Sequence, residues 1–200
     1  MGAAIPTNEN TITTLESKYA RIERERKFLL RGLPEPLTSA SYHTQIWDNY
    51  ITNTRLRLRK IRIPQTKEYV LKLTQKYPPV EGDLSRCVIT NTYLSAYEYE
   101  ALSVFEGNEI RKNRYPFEYE GRKYSIDVFI GPLWGLILAE ISFETDEDMS
   151  AFEMPPFAEM EVTQDVRFTG GKLYDTTAEE LRTALANGIR NRELTRIDAD

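Results

Sequence analysis

The chain has 200 residues, a hydrophobic fraction of 40% and a formal net charge of −5. That is enough apolar material for one cored domain, with no global positive field to draw it to nucleic acid or an anionic membrane. Its single cysteine, Cys87, excludes an internal disulfide and a cysteine-built zinc site and agrees with a reducing, cytoplasmic setting. No apolar run approaches the roughly 20 residues that span a bilayer, and the opening MGAAIPTNEN lacks the basic and apolar regions of a secretory signal.

Residues 1–16 are polar and unpatterned and read as a flexible leader to a single domain over residues 17–200. From there alternating segments predict strands over Arg21–Leu30, Gln45–Asn53, Thr54–Ile63, Glu68–Lys76 and Cys87–Tyr93, then Glu109–Tyr119, Arg122–Ile130, Leu136–Phe143 and Glu159–Val162. Glu120-Gly121 predicts a tight hairpin, Pro64-Gln65-Thr66 breaks another pair, and Pro78 to Asp83 marks a loop. Strands so closely spaced must pair antiparallel. Ser95 with Glu98, Thr145 with Asp148 and Thr177 with Glu180 carry helix-start signals, predicting helices over Ala96–Phe105, Asp146–Phe152 and Ala178–Asn191. Many strands and few helices suggest a barrel.

Charge is dense on one face of several strands. Glu23, Glu25 and Lys27 share a face, as do Arg55, Arg57 and Arg59, then Lys72, Thr74 and Lys76, then Lys112 and Arg114. The opposite faces, such as Leu71 and Leu73 or Ile141 and Phe143, are apolar and need a cover that the helices could supply. The plain reading is a sheet with its charged side in water. Against it stands the crowding of like charges within one strand, which repel unless an anion or carboxylates compensate. A sheet closed with this face inward would form a wet channel suited to a polyanion with a metal.

Glu23-Arg24-Glu25-Arg26-Lys27 resembles the Glu-x-Glu-x-Lys opening of the CYTH superfamily, the triphosphate tunnel metalloenzymes. Arg55-Leu56-Arg57, Val70 to Thr74 and Ile110 to Tyr115 resemble the family's basic strands, in the family's order. Tyr124 to Phe129 and Gly135 to Ile141 resemble its acidic strands, and Glu161 to Phe168 its closing segment, so the resemblance covers roughly residues 19–185. The sequence departs from the pattern at Ser142, where the family usually has a second glutamate.

The resemblance implies an α+β fold dominated by β-structure: a closed, antiparallel, eight-stranded β-barrel with helices outside and a C-terminal helix. It implies metal-dependent hydrolysis of a triphosphate, with inorganic tripolyphosphate the favoured substrate. The alternatives are a cyclase making cyclic AMP from ATP and a non-catalytic polyphosphate- or nucleotide-binding module. Lys27, Arg55, Arg57, Lys72, Lys112, Arg114 and Arg167 would hold the phosphates. Glu23, Glu25, Asp127 and Glu140 would hold Mg²⁺ or Mn²⁺ through hard oxygens, with Glu23, Glu25 and Lys27 nearest the chemistry. For Asp127 the competing reading is pairing with neighbouring arginines. The triphosphate is the expected partner, nucleic acid and membrane are not, and the sequence leaves a homodimer open.

Other residues read more plainly. Arg59 and Lys76 are expected near a rim, and His43 in a turn with a surface or pairing role. Cys87 is expected in the core, and Tyr93, Tyr97, Tyr99 and Phe105 against the outer barrel wall. The acidic run Glu144 to Asp148 is expected to serve a helix start.

Overall fold

A computed structural model describes residues 20–177 together with 179–181, 183 and 186. Among these, nine strands follow in chain order: β1 (Arg21–Leu29), β2 (Thr44–Ile51), β3 (Leu56–Ile63), β4 (Glu68–Tyr77), β5 (Arg86–Tyr93), β6 (Gly107–Tyr119), β7 (Arg122–Ile130), β8 (Ile137–Phe143) and the two-residue β9 (Met160–Glu161). Helices α1 (Ala96–Leu102), α2 (Asp146–Ala151) and α3 (Gly170–Leu173) interrupt them. The expected leader lies outside the described residues. The expected helix over Ala178–Asn191 is helical at 179–181, 183 and 186, and its remainder also lies outside them.

The strands are laterally ordered β5-β4-β3-β2-β6-β7-β8-β1, and a further pairing of β1 with β5 closes the ring into an eight-stranded antiparallel barrel. β1 makes this closure by dividing one edge. Its first half pairs with β5, Glu23 opposite Cys87, and its end pairs with β9, Phe28 opposite Glu161. Between the two, the Glu25 amide donates to the Ser85 carbonyl at 2.9 Å and the Lys27 amide to Thr163 Oγ1 at 3.0 Å, so the strand's donors stay satisfied where it changes partners. The Glu120-Gly121 hairpin forms with both residues in the left-handed region, φ +50° and +71°, the geometry that matches strand twist in a two-residue turn.

Alternation then sorts the side chains. Phe28, Ile126, Ala139, Ile141 and Phe143 face outward into a core shared with Tyr115, Phe117 and Tyr124. Met149 of α2, with Phe152, Phe157 and Ala158 from the segment after it, covers this wall. Two ring contacts, Phe117–Phe157 and Tyr124–Phe157, each 5.3 Å between centroids and near perpendicular, seat that cover. The acidic run acts as a clasp: Asp146 accepts from Arg24 at 2.8 Å and Arg86 at 2.9 Å, and Asp148 from Arg122 at 2.7 Å. Of the aromatics about α1, Tyr99 is half-buried, but Tyr93, Tyr97 and Phe105 are exposed and do not pack on the wall as expected. Tyr97 is 89% and Tyr93 71% exposed, because α1 is too short to lay a stripe on the sheet.

A second core fills one end of the barrel from within. Leu29, Ile110, Phe129 and Leu138 turn inward there and meet Phe168, Leu173 and Leu181 of the C-terminal segment. Two close approaches to β2 require glycine, one from the floor and one from the start of β6. A Cβ on Gly170 would collide with the Tyr50 hydroxyl, and one on Gly107 with Asn49 and the Tyr50 carbonyl.

Candidate active site

Above this floor the barrel encloses a cavity of about 450 Å³. Among the described residues its lining carries ten basic side chains (Arg21, Lys27, Arg55, Arg57, Arg59, Lys72, Lys76, Arg86, Lys112 and Arg114) against four carboxylates, Glu23, Glu25, Asp48 and Glu140. An excess of that size inside a barrel leaves room for an anion as the remaining partner.

β2, β3 and β4 build the basic wall. Asp48, 1% exposed on β2, stands opposite Arg59 of β3 and accepts its fork at 2.5 and 2.6 Å; Arg57 Nε lies 3.5 Å from the same carboxylate. Burial would raise the Asp48 pKa, but Arg57 and Arg59 together hold it far below the usual carboxylate range. Arg57 stays charged against its own burial because Asp48 and Tyr50 face it, yet its Nε is buried without a hydrogen-bond partner. Lys72, opposite Arg59 in the register, has no salt bridge among the described residues; burial, then Arg59 and Arg57, pushes its ammonium down to about 8. Arg55 sits at the wall's edge with its guanidinium 4.7 Å from the Tyr77 ring centre. Expected at a rim, Arg59 is instead 6% exposed, since its register position opposite Asp48 carries it to the middle of the wall.

β6, β7 and β8 build the facing wall. Asp127, with no exposed surface, accepts from Lys112 at 2.5 Å and from Arg114 at 2.6 Å through both oxygens. The structure does not bring Asp127 to the cavity where a metal ligand was expected: its oxygens hold Lys112 and Arg114, the competing reading of cation pairing, and its side chain is absent from the lining. Asp127 aims Lys112 and Arg114 instead. Arg114 also reaches Glu140 at 2.5 Å, and Lys27 lies 3.8 Å from the other Glu140 oxygen. Burial opposes the Glu140 charge, but Arg114, Lys112 and Lys27 overcome it and hold the group well below its ordinary pKa.

β1 supplies the acidic side. Glu23 and Glu25 project from alternate positions and share one partner, Lys76 of β4, whose Nζ lies 2.7 and 3.0 Å from them. Against the desolvation of burial, the pair keeps the Lys76 ammonium protonated and Lys76 lowers the Glu23 pKa. Cys87, opposite Glu23, lines the cavity and is half-buried, not in the apolar core; burial, despite Lys76, raises its thiol pKa. No three acidic, histidine or cysteine side chains converge as a preformed metal cage among the described residues. Ser142 is exposed opposite Glu25 in the register.

Of the phosphate-binding residues expected, Lys27, Arg55, Arg57, Lys72, Lys112 and Arg114 converge on the cavity. Arg167 does not. Its 3₁₀ turn, Val166–Phe168, carries the half-exposed guanidinium to Asp165, at 2.5 Å, outside the lining. Sequence reasoning missed Asp48, whose signal was an acid set between Ile46 and Tyr50 on one face of its strand. His43 stacks beside Tyr115, ring centres 4.8 Å apart, away from the cavity, as its expected pairing role allowed.

No family model matches the chain. An inorganic triphosphatase of Nitrosomonas europaea is 32% identical over 152 residues, spanning 73% of this chain and 92% of that protein. An inorganic triphosphatase of Acetivibrio thermocellus is 36% identical over 162 residues, spanning 76% and 92%. Among solved structures, the crystal structure of the inorganic triphosphatase NE1496 superposes with a TM-score of 0.52 at 26% identity, covering 77% of this chain and 95% of that one.

Proposed function

The chain belongs to the CYTH superfamily of triphosphate tunnel metalloenzymes, and from that premise we propose that it hydrolyses inorganic tripolyphosphate inside the barrel with Mg²⁺ or Mn²⁺. The observation that carries this reading is the part of the basic wall whose hydrogen-bonding and charge needs are met only in part. Arg57 has a buried donor without an acceptor, and Lys72 is a cation facing cations. Both positions are costly in an empty tunnel and favourable beside phosphate oxygens.

Arg57, Arg59 and Lys72 on one wall and Lys112 and Arg114 on the other would grip the chain of phosphates from two sides. Asp48 fixes Arg57 and Arg59 in advance and Asp127 fixes Lys112 and Arg114, so little reorganisation of these four accompanies binding. Lys27, tied to Glu140, stands between the basic walls and the acidic side. Hydrolysis joins a water oxygen to a terminal phosphorus as the bridging P–O bond breaks, and the surrounding arginines and lysines neutralise the charge that gathers on the leaving diphosphate.

Triphosphatases of this family generally need a divalent metal. Glu23, Glu25 and Glu140 fit one by chemistry: they are hard oxygen donors, and Glu23 and Glu25 already embrace one cationic centre. When bound, the metal would neutralise phosphate charge and orient the attacking water. Three of the aromatic rings in the lining face a cation, Tyr77 beside Arg55, Phe129 beside Lys112 and Tyr50 beside Arg57, which favours a substrate without a base.

The test is phosphate release from tripolyphosphate, ATP and thiamine triphosphate with Mg²⁺, Mn²⁺ or EDTA, with cyclic AMP measured in parallel. The expected outcome is metal-dependent release, fastest from tripolyphosphate. Cyclic AMP as the main product, or tight binding without turnover, would overturn the reading.

A further inference from the structure

Two cationic chemistries compete for one pair of carboxylates. Glu23 and Glu25 are mostly buried, 17% and 15% exposed at the side chain, and the oxygens that a divalent ion would take already hold Lys76 Nζ at 2.7 and 3.0 Å. Across β1, where the family pattern has another acid, Ser142 stands opposite Glu25 and adds no charge. Glu140 cannot make up the difference freely, because Arg114 and Lys27 already share it. We propose that Lys76 is a built-in cation at the Glu23–Glu25 pair, and that a divalent ion reaches these carboxylates only by displacing its ammonium.

The geometry gives the displaced ammonium somewhere to go. Lys76 lies on the same face of β4 as Lys72 and Thr74, the face that lines the tunnel, and its stem can turn along the wall towards bound phosphate. In the empty tunnel the lysine satisfies two carboxylates that would otherwise repel one another across a partly desolvated space. With a polyanion present, the lysine has a second partner and the carboxylates are freed for the metal. Metal and triphosphate therefore bind cooperatively, each weak alone. Lys76 acts through the carboxylates and is a positioning residue.

The inference rests on the metal-dependent reading above, and its test is made without substrate, so phosphate release by the native protein judges that reading separately. Mn²⁺ binding to the full chain is measured by calorimetry and by the melting temperature as a function of Mn²⁺, for the native protein, Lys76→Met, Lys76→Arg and Lys76→Met with Glu23→Gln. Methionine keeps the apolar stem and removes the charge. The expected result is Mn²⁺ bound at least about tenfold more tightly by Lys76→Met than by the native chain, from the loss of a competing charge in direct contact. Lys76→Arg should stay as weak as the native protein, and the double variant should lose the gain. Should Lys76→Met fail to fold in metal-free buffer, rescue of its melting transition by Mn²⁺ supports the proposal equally. Equal affinity in Lys76→Met and the native chain, tight binding by Lys76→Arg, or no rescue overturns the proposal.

Discussion

The tunnel holds two kinds of carboxylate. Asp48 and Asp127 have 1% and 0% of their surface exposed and are each clamped by two cations. Glu23 and Glu25 keep 17% and 15% exposure and divide one lysine between them. The first pair uses up its acceptor capacity and turns flexible cations into a fixed receptor. The second keeps oxygens that an incoming ion can reach. Depth, not residue type or the number of cations per acid, separates scaffold from site: Glu23, which also has Arg21 at 3.6 Å, and Glu140, which Arg114 and Lys27 share, each face two cations yet keep 17% exposure.

Removing a scaffold charge should have the largest effect. Asp127→Asn leaves Lys112 buried without its counter-ion and Arg114 with Glu140 alone and should destabilise the fold by about 3–5 kcal/mol, read as the denaturant midpoint. A loss under about 1 kcal/mol would place Asp127 among the site carboxylates after all. Arg57→Ala is next. It removes a phosphate donor and relieves repulsion with its neighbours, so triphosphate binding should weaken by about 30-fold while stability changes little. A large fall in melting temperature with normal binding would reverse that assignment.

Acidity exposes the same contrast on the basic wall. Lys72 is pushed down to about 8 in the folded protein from an ordinary 10.5. In the empty tunnel it loses its charge as pH rises through about 8, whereas a bound polyanion favours the charged form. Triphosphate affinity should therefore fall as pH rises from about 8 towards the higher pKa of the complex. Stability of the empty protein moves the other way. Between about 8 and 10.5 the unfolded chain holds the proton that the folded one has shed, so this group's destabilising contribution diminishes across that window. Lys72→Met should abolish both trends; their persistence would point to another group. The smallest effect is expected from Ser142→Glu. Its register position beside Glu25 adds an acid at the mouth, and half-saturation by Mn²⁺ or Mg²⁺ should fall by about threefold. An unchanged metal titration would mean that position 142 faces away from the site.

Much of this arrangement was legible in the chain, because period-2 alternation fixes which side of a sheet a residue faces. The eight barrel strands lie within a few residues of their expected spans, and the Ser95–Glu98 capping box forms as read. Alternation does not fix depth along the barrel or the partner across it, which come from register and closure. Arg59 therefore read as a rim residue although Asp48 holds it in the middle, and Asp127 read as a ligand although Lys112 and Arg114 consume it. Arg167 misled for a different reason: a local Asp165 captures it within two residues. The floor built by Phe168 and Leu173 was hidden because short turns carry no periodic signal.

Whether the more exposed carboxylate pair serves chemistry or architecture is decided by Glu25→Gln. Initial rates of phosphate release from saturating tripolyphosphate at saturating Mg²⁺ are compared with the native protein, with melting temperatures recorded on the same samples. A role in chemistry requires a rate at least about 100-fold lower with a melting temperature within a few degrees of native. A rate within about twofold of native would contradict it.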